Sequence, residues 1–327
     1  MEVAILGAGA WGTALAVALA RDHRVALWTR SAADRDEIRA RRASLRLPEV
    51  ALPASVAVES DLREAIARAD LVVVATSTEG LRPVARSVAE VTPRPSLLWA
   101  CKGFEKASGL TAHRIVAEAL PQARRVGALS GPSFAIEVAH GLPTALVLAS
   151  ADAGFASSSI DALSGQRLRV YSSADVIGVE IGGAVKNVIA IAAGICDGLA
   201  LGRNARAALI TRGLAEIVRF GVASGGRPET FMGLAGLGDL VLTCTADLSR
   251  NHRVGTGLAE GLPLDTILHR LGHVAEGVES APALLRQARR MSIEMPITQA
   301  VCDVLAGSLS APDAVQRLLA RDPKPEQ

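Results

Sequence analysis

The sequence predicts an α/β protein in two parts, with a doubly wound, mostly parallel sheet over residues 1–174 and an all-helical domain over 175–327. Three observations lead there. Short runs rich in Val, Leu and Ala alternate with helix-like stretches through the first half. Those runs are apolar throughout rather than at every second residue, as strands buried on both faces of a parallel sheet are. After residue 173 the alternation stops, and long Ala-, Gly- and Ile-rich stretches follow.

Taken in order, 3–6 reads as the first strand, 11–21 as the first helix and 24–28 as the second strand. The pattern continues with helical 62–68, strand 71–75 (LVVVA), helical 81–91, strand 96–100 (SLLWA), helical 110–120 and strand 126–129. Residues 144–149 and 168–171 make two further strands. Beyond them 176–201, 205–224, 281–290 and 297–306 are helical, and 321–327 is a short polar tail.

The 327 residues, half of them hydrophobic, suffice for two cores. With 35 basic and 33 acidic side chains the net charge is only +2, which excludes a broad positive field for nucleic acid or anionic lipid. Cys101, Cys196, Cys244 and Cys302 form no C-x-x-C pair, so reduced thiols in a cytosol are expected rather than disulfides or a zinc knuckle. The six histidines show no metal-like spacing; they are read as surface or core fillers, and no metal is expected. Residues 3–20 carry no charge, yet Glu2 stands where a signal peptide needs a base, and Gly7, Gly9 and Gly12 break the stretch. The next apolar stretch is interrupted by Lys186, Asn187 and Asp197, so a soluble, cytoplasmic protein with no membrane insertion is expected.

The strongest local motif is G-A-G-A-W-G, residues 7–12, between the first strand and the first helix. Its glycines allow a tight turn, close backbone approach to a pyrophosphate and close helix–strand packing, and the helix start offers free N–H groups. This is a Rossmann-type dinucleotide site. At the end of the second strand, where an NAD-selective site places an acid, stands Arg30, so a 2′-phosphate is attracted and NADPH is accepted or preferred. The alternative is that Arg30 is a solvated loop cation and Asp34 or Asp36 reaches the ribose.

Only four of the 35 basic residues are lysine: Lys102, Lys106, Lys186 and Lys324. Arginine is the default cation, so a lysine in an uncharged segment marks a place where a compact, titratable ammonium matters. Lys102 follows SLLWA, at the carboxyl end of a strand, where open α/β sheets bind ligands. Lys186 is the single charge in I-G-G-A-V-K-N-V-I-A-I-A-A-G, where burial should lower its pKa and suit it to exchange a proton with a reacting oxygen. The competing reading is a buried lysine merely paired with a carboxylate such as Asp239. Residues 233–245, GLAGLGDLVLTCT, suit a loop or helix start close to a ligand, and in the following S-R-N, Arg250 and Asn251 suit phosphate oxygens. S-G-P-S-F-A, 130–135, reads as another strand-to-helix turn with free backbone donors.

The runs GAGAWGTALA, CKGFE, SGPSFAIEVAHGLPTA, GGAVKNVIAIAAGICDGL, NARAALITRGLAE, FMGLAGLGDLVLTCT, SRN and VAEGVES resemble, in order and spacing, the bacterial NAD(P)-dependent glycerol-3-phosphate dehydrogenases over nearly the whole chain. The resemblance implies reversible reduction of dihydroxyacetone phosphate to sn-glycerol 3-phosphate with NAD(P)H, feeding glycerophospholipid synthesis. It implies Lys186 as general acid/base, Lys102 touching cofactor and substrate, and Gly131, Ser133, Asp239, Thr243, Ser249, Arg250 and Asn251 holding the substrate. Trp11, Arg30, Ala135, Arg250, Val274 and Glu276 would line the cofactor site together with the turn of Gly7, Gly9, Ala10 and Gly12. Ala10 departs from the serine frequent in the family, which removes a hydroxyl donor but leaves the backbone N–H. Two other readings stand beside this one: a related hydroxyacid dehydrogenase, against which the absence of K-x-x-N-N counts, and a non-catalytic NAD(P)-binding sensor. The helices of the second domain can pack a homodimer or pack on themselves.

Overall fold

The computed structural model describes residues 1–272 and 275–321. They form two compact units: Met1–Lys102 with Leu110–Glu180, and Gly103–Gly109 with the chain from Ile181 onward. This division differs from a single cut at 174/175. It falls inside a helix, and a seven-residue strap leaves the first unit for the second.

In the first unit the chain runs β1 (Glu2–Leu6), α1 (Ala10–Leu19), β2 (Arg24–Trp28), α2 (Ala32–Arg41), β3 (Ala57–Glu59), α3 (Leu62–Ile66), β4 (Leu71–Val74), α4 (Thr78–Val91), β5 (Leu97–Trp99) and α5 (Ala112–Ala119). It continues through β6 (Val126–Ser130), α6 (Ala135–Ala139), β7 (Thr144–Ala149), α7 (Ala153–Leu163) and β8 (Leu168–Ser173). The strands make one sheet in the order β3-β2-β1-β4-β5-β6-β7-β8. All pairs are parallel except β6 with β7, which are antiparallel. The all-apolar runs are explained by burial: every residue of β4 and β5 is buried, each large one contributing roughly 1.5–3 kcal/mol.

Several helix starts are written in the sequence as side-chain caps. Ser31 accepts from Asp34 N, Asp61 from Arg63 N and Glu64 N, and Asp152 from Phe155 N. Helices α2 and α7 and strand β3 are not among the elements expected from the sequence, which leaves 29–61 and 150–167 unassigned; α3 falls within the expected helical 62–68, and α6 follows the strand-to-helix turn read at 130–135.

The second unit is helical among the described residues. It contains most of α8 (Val176–Gly198), then α9 (Gly202–Ala223), α10 (Pro228–Phe231), a π-helical turn at Leu234–Gly238, α11 (Asp239–Thr245) and α12 (Arg250–Ala259). The remaining helices are α13 (Leu264–Leu271), α14 (Glu276–Arg290), α15 (Pro296–Leu305) and α16 (Ala311–Leu319). The strap is held here: Phe104 is buried and meets the Phe220 ring edge-on at 6.1 Å, and Gln287 Nε2 donates to the Gly109 carbonyl at 3.3 Å. By length and composition α8 is apolar enough to cross a membrane despite its charges, but 89% of its apolar window is buried inside the protein, as in a core helix.

Candidate active site

In the first unit the turn after β1 makes two of its three glycines necessary to the protein itself. Gly7 has φ +123°, and a Cβ on Gly12 would lie 1.9 Å from the Gly7 carbonyl oxygen. Gly9 differs: a Cβ there would meet nothing within 4 Å. Gly9 is also the N-cap of α1 and makes no side-chain cap bond, so no cap side chain takes up the N–H groups that a helix start leaves without intrahelical partners, those of Ala10 and Trp11 among them. This is the geometry a pyrophosphate needs. Arg30 is exposed just past the end of β2. Of the acids that compete with it for a ribose, Asp36 is paired with Arg35 at 2.8 Å.

Two motifs that lie apart in sequence converge on one atom. Lys102 Nζ donates to the Gly131 carbonyl at 3.1 Å, and Ser133 Oγ donates to the same oxygen at 3.0 Å. Lys102 sits past the end of β5 and Gly131 past the end of the adjacent β6, so the parallel pairing of these strands brings their carboxyl ends together. Ala135, two residues beyond Ser133, begins α6.

In the second unit Lys186 lies midway along α8 and is 6% exposed. Its Nζ donates to Asp239 Oδ1 and, at 2.9 Å, to Thr243 Oγ1. Asp239 and Thr243 are one turn apart on α11, and Thr243 Oγ1 donates to the Asp239 carbonyl at 2.6 Å. The polar partners therefore come from one helix face. Helix α11 reaches α8 because the preceding π-turn packs on a bare backbone: a Cβ on Gly182 would lie 2.6 Å from the Ala235 carbonyl oxygen. A buried ammonium is tolerated only when paired and hydrogen-bonded, and Asp239, itself 1% exposed, supplies the charge. The pairing with Asp239 that the sequence raised as the competing reading is thus present together with the burial.

Ser249 caps α12, its Oγ accepting from His252 N at 3.2 Å. Arg250, the first residue of that helix, is exposed. Asn251 is more committed than its sequence suggests. Its Nδ2 donates to Asn187 Oδ1 at 3.0 Å and its Oδ1 accepts from Gly277 N at 3.0 Å, leaving one amide hydrogen for a ligand. Glu276 starts α14, with Oε2 3.5 Å from Asn187 Nδ2. Val274 lies outside the described residues.

The expected residues thus fall into two groups. Gly7, Gly9, Ala10, Trp11, Gly12, Arg30, Lys102, Gly131, Ser133 and Ala135 belong to the first unit, and Lys186, Asp239, Thr243, Ser249, Arg250, Asn251 and Glu276 to the second. Sequence reasoning gave Asn187 no role, although it adjoins Lys186 and links α8 to α12. The scarcity of polar residues in 181–195 was the signal that could have found it.

A family model described as the N-terminus of NAD-dependent glycerol-3-phosphate dehydrogenase matches residues 2–156, and one for its C-terminus matches 175–316. The chain is 55% identical to glycerol-3-phosphate dehydrogenase [NAD(P)+] from Thiobacillus denitrificans, covering 100% of both chains. It is 54% identical to the enzyme of the same name from Dechloromonas aromatica, covering 100% of this chain and 99% of that one. Among solved structures, glycerol-3-phosphate dehydrogenase from Coxiella burnetii superposes with a TM-score of 0.94 at 41% identity, over 98% of this chain and 99% of that one. With two family models spanning most of its length and full-length relatives above half identity, the chain belongs to the NAD-dependent glycerol-3-phosphate dehydrogenase family.

Proposed function

We infer that Lys186 is the proton donor and acceptor of this enzyme, which reversibly reduces dihydroxyacetone phosphate to sn-glycerol 3-phosphate with NAD(P)H and supplies glycerophospholipid synthesis. One observation carries the assignment: a single amine buried in an apolar helix, held between the Asp239 carboxylate and the Thr243 hydroxyl. In reduction, negative charge grows on the C2 carbonyl oxygen of the substrate. Lys186 as ammonium stabilises that charge and transfers a proton to the oxygen, and Asp239 holds the amine in place. The nicotinamide, when bound, supplies the hydride to C2. In the reverse direction the neutral amine takes the hydroxyl proton.

Arg250 grips the substrate phosphate with its planar fork, helped by the remaining amide hydrogen of Asn251 and by Ser249. Lys102, Gly131 and Ser133 in 1–174 and Lys186, Asp239, Thr243, Ser249, Arg250 and Asn251 in 175–327 form the substrate set. The turn at Gly7, Gly9, Ala10, Trp11 and Gly12 holds the pyrophosphate, with Arg30 at the 2′-phosphate and Ala135, Arg250, Val274 and Glu276 completing the cofactor set. The family is soluble, and the four free thiols and the burial of α8 support a cytoplasmic location.

Steady-state oxidation of NADPH by dihydroxyacetone phosphate tests the roles. Lys186→Ala should lower kcat about 10²- to 10⁴-fold with both substrates saturating, and near-normal turnover would remove the assignment. Arg250→Ala should lower kcat/KM at least about tenfold, and a change within about twofold would remove the phosphate role.

A further inference from the structure

Helix α12, which carries Arg250 and Asn251, is itself anchored by a cluster that takes no part in the chemistry above. His252, next in sequence, places Nε2 2.8 Å from Asp197 Oδ2. The same oxygen accepts from Arg206 NH1 at 2.7 Å. Asp197 lies in the last turn of α8 and Arg206 in the first turns of α9, so three helices are tied at one carboxylate. The His252 side chain is 8% exposed and that of Asp197 25%. An ionised carboxylate can only accept, so Nε2 carries the proton of this bond.

Beside the cluster, α8 and α12 touch backbone to backbone. A Cβ on Gly194 would lie 1.9 Å from the His252 carbonyl oxygen, and one on Gly255 2.0 Å from the Ile191 carbonyl oxygen. Side chains bridge this contact at three places: Asn251 Nδ2 donates to Asn187 Oδ1 at 3.0 Å, Thr256 Oγ1 donates to the Gly194 carbonyl at 3.4 Å, and His252 meets Asp197. The Asp197–His252 pair is the one of these three bridges built on a carboxylate shared with a third helix, and it lies at the end of α12 that presents Arg250. Lys186 is on the same α8, about 16 Å along the axis from Asp197 at 1.5 Å per residue. The proton donor and the phosphate grip are thereby referred to one rigid helix.

We propose that Asp197 and His252, backed by Arg206, form a positioning clamp that sets the register of the Arg250 phosphate grip against Lys186, and so makes turnover depend on the phosphate of the substrate. This rests on the reading of Arg250 as the grip. A three-carbon substrate has its carbonyl one carbon away from the phosphate ester, so a slide of about 1 Å brings the wrong atom to the amine, a displacement that can cost on the order of 10²-fold. The clamp does not touch the reacting atoms, and its loss should leave intact the chemistry on a substrate without phosphate.

The test compares dihydroxyacetone phosphate with dihydroxyacetone in the full-length enzyme. For His252→Ala and Asp197→Asn, kcat/KM for the phosphorylated substrate should fall about ten- to a hundredfold, while that for dihydroxyacetone stays within about twofold. His252→Gln, whose amide can still donate to Asp197, should recover most of the loss. A role in stability alone lowers both substrates together, and that parallel loss overturns the proposal. So does a kcat/KM for the phosphorylated substrate within about twofold of wild type in both variants. Asp197→Asn, which keeps shape and volume, carries the comparison where His252→Ala does not fold. An Arg250→Ala enzyme that loses nothing on the phosphorylated substrate removes the grip reading itself; an Arg250 effect beside silent His252 and Asp197 variants removes only the clamp.

Discussion

On the proposed reading, Arg30 distinguishes two cofactors through one phosphate group. It is exposed just beyond β2, and a guanidinium there forms charge-assisted hydrogen bonds to a 2′-phosphate worth about 1.5–3 kcal/mol, or roughly 10- to 100-fold in binding. NADH lacks that phosphate. Arg30→Ala should therefore lower kcat/KM for NADPH by about that factor and for NADH by less than about threefold, measured at saturating substrate; equal losses with both cofactors would return Arg30 to the solvated-loop reading. At this scale the sequence is most legible where a residue breaks its surroundings. Lys186 stands out as one charge among Gly, Ala, Val and Ile, and Lys102 as one of four lysines. Asn187 and His252 do not stand out, because their meaning lies in partners 64 and 55 residues away.

Elements were legible where burial wrote a pattern. The strands β4 and β5 are buried at every position and read as continuous apolar runs. Helix α2 buries only Ile38, so no periodicity marks it, and β3 is three residues long. The antiparallel pairing of β7 with β6 leaves no trace in composition, since either direction buries the same side chains. The turn between β1 and α1 was legible in full, and its glycines separate fold from function. A Cβ at Gly12 collides with the Gly7 carbonyl, whereas one at Gly9 enters open space. Gly12→Ala should lower stability by at least about 1–3 kcal/mol, the cost of overpacking. Gly9→Ala should melt within about 2 °C of wild type, a shift worth under about 1 kcal/mol, yet bind NADPH at least about tenfold more weakly because the methyl occupies the pyrophosphate's approach. Calorimetry and cofactor titration check both, and undiminished NADPH binding by Gly9→Ala would remove the pyrophosphate from this turn.

For the whole molecule, the change from alternating to helical sequence marks two kinds of unit but not the strap Gly103–Gly109, because seven residues carry too short a pattern to reveal which core they join. Long-range order in the second unit is also invisible in sequence where it runs through a buried carboxylate. Glu216 on α9 is 1% exposed and accepts from Ile297 N at 2.6 Å and from Thr298 N and Oγ1 at 3.2 and 3.0 Å. It thus caps α15 from 81 residues away. Loss of burial-dependent hydration raises the carboxyl above its ordinary range, outweighing the donors that favour the anion. A carboxyl whose folded pKa is raised contributes stability that is fully present below the ordinary carboxylate range. That contribution is lost as pH rises through the folded value, because the unfolded chain ionises first. Glu216→Gln removes the titration while leaving one acceptor for three donors, at a pH-independent cost of about 1–3 kcal/mol. The melting temperature of wild type minus that of the variant should therefore be largest at or below the ordinary carboxylate range and shrink as pH rises above it. A difference that is flat as pH rises, or that grows with pH, would show that Glu216 enters folding as an anion already matched to its donors.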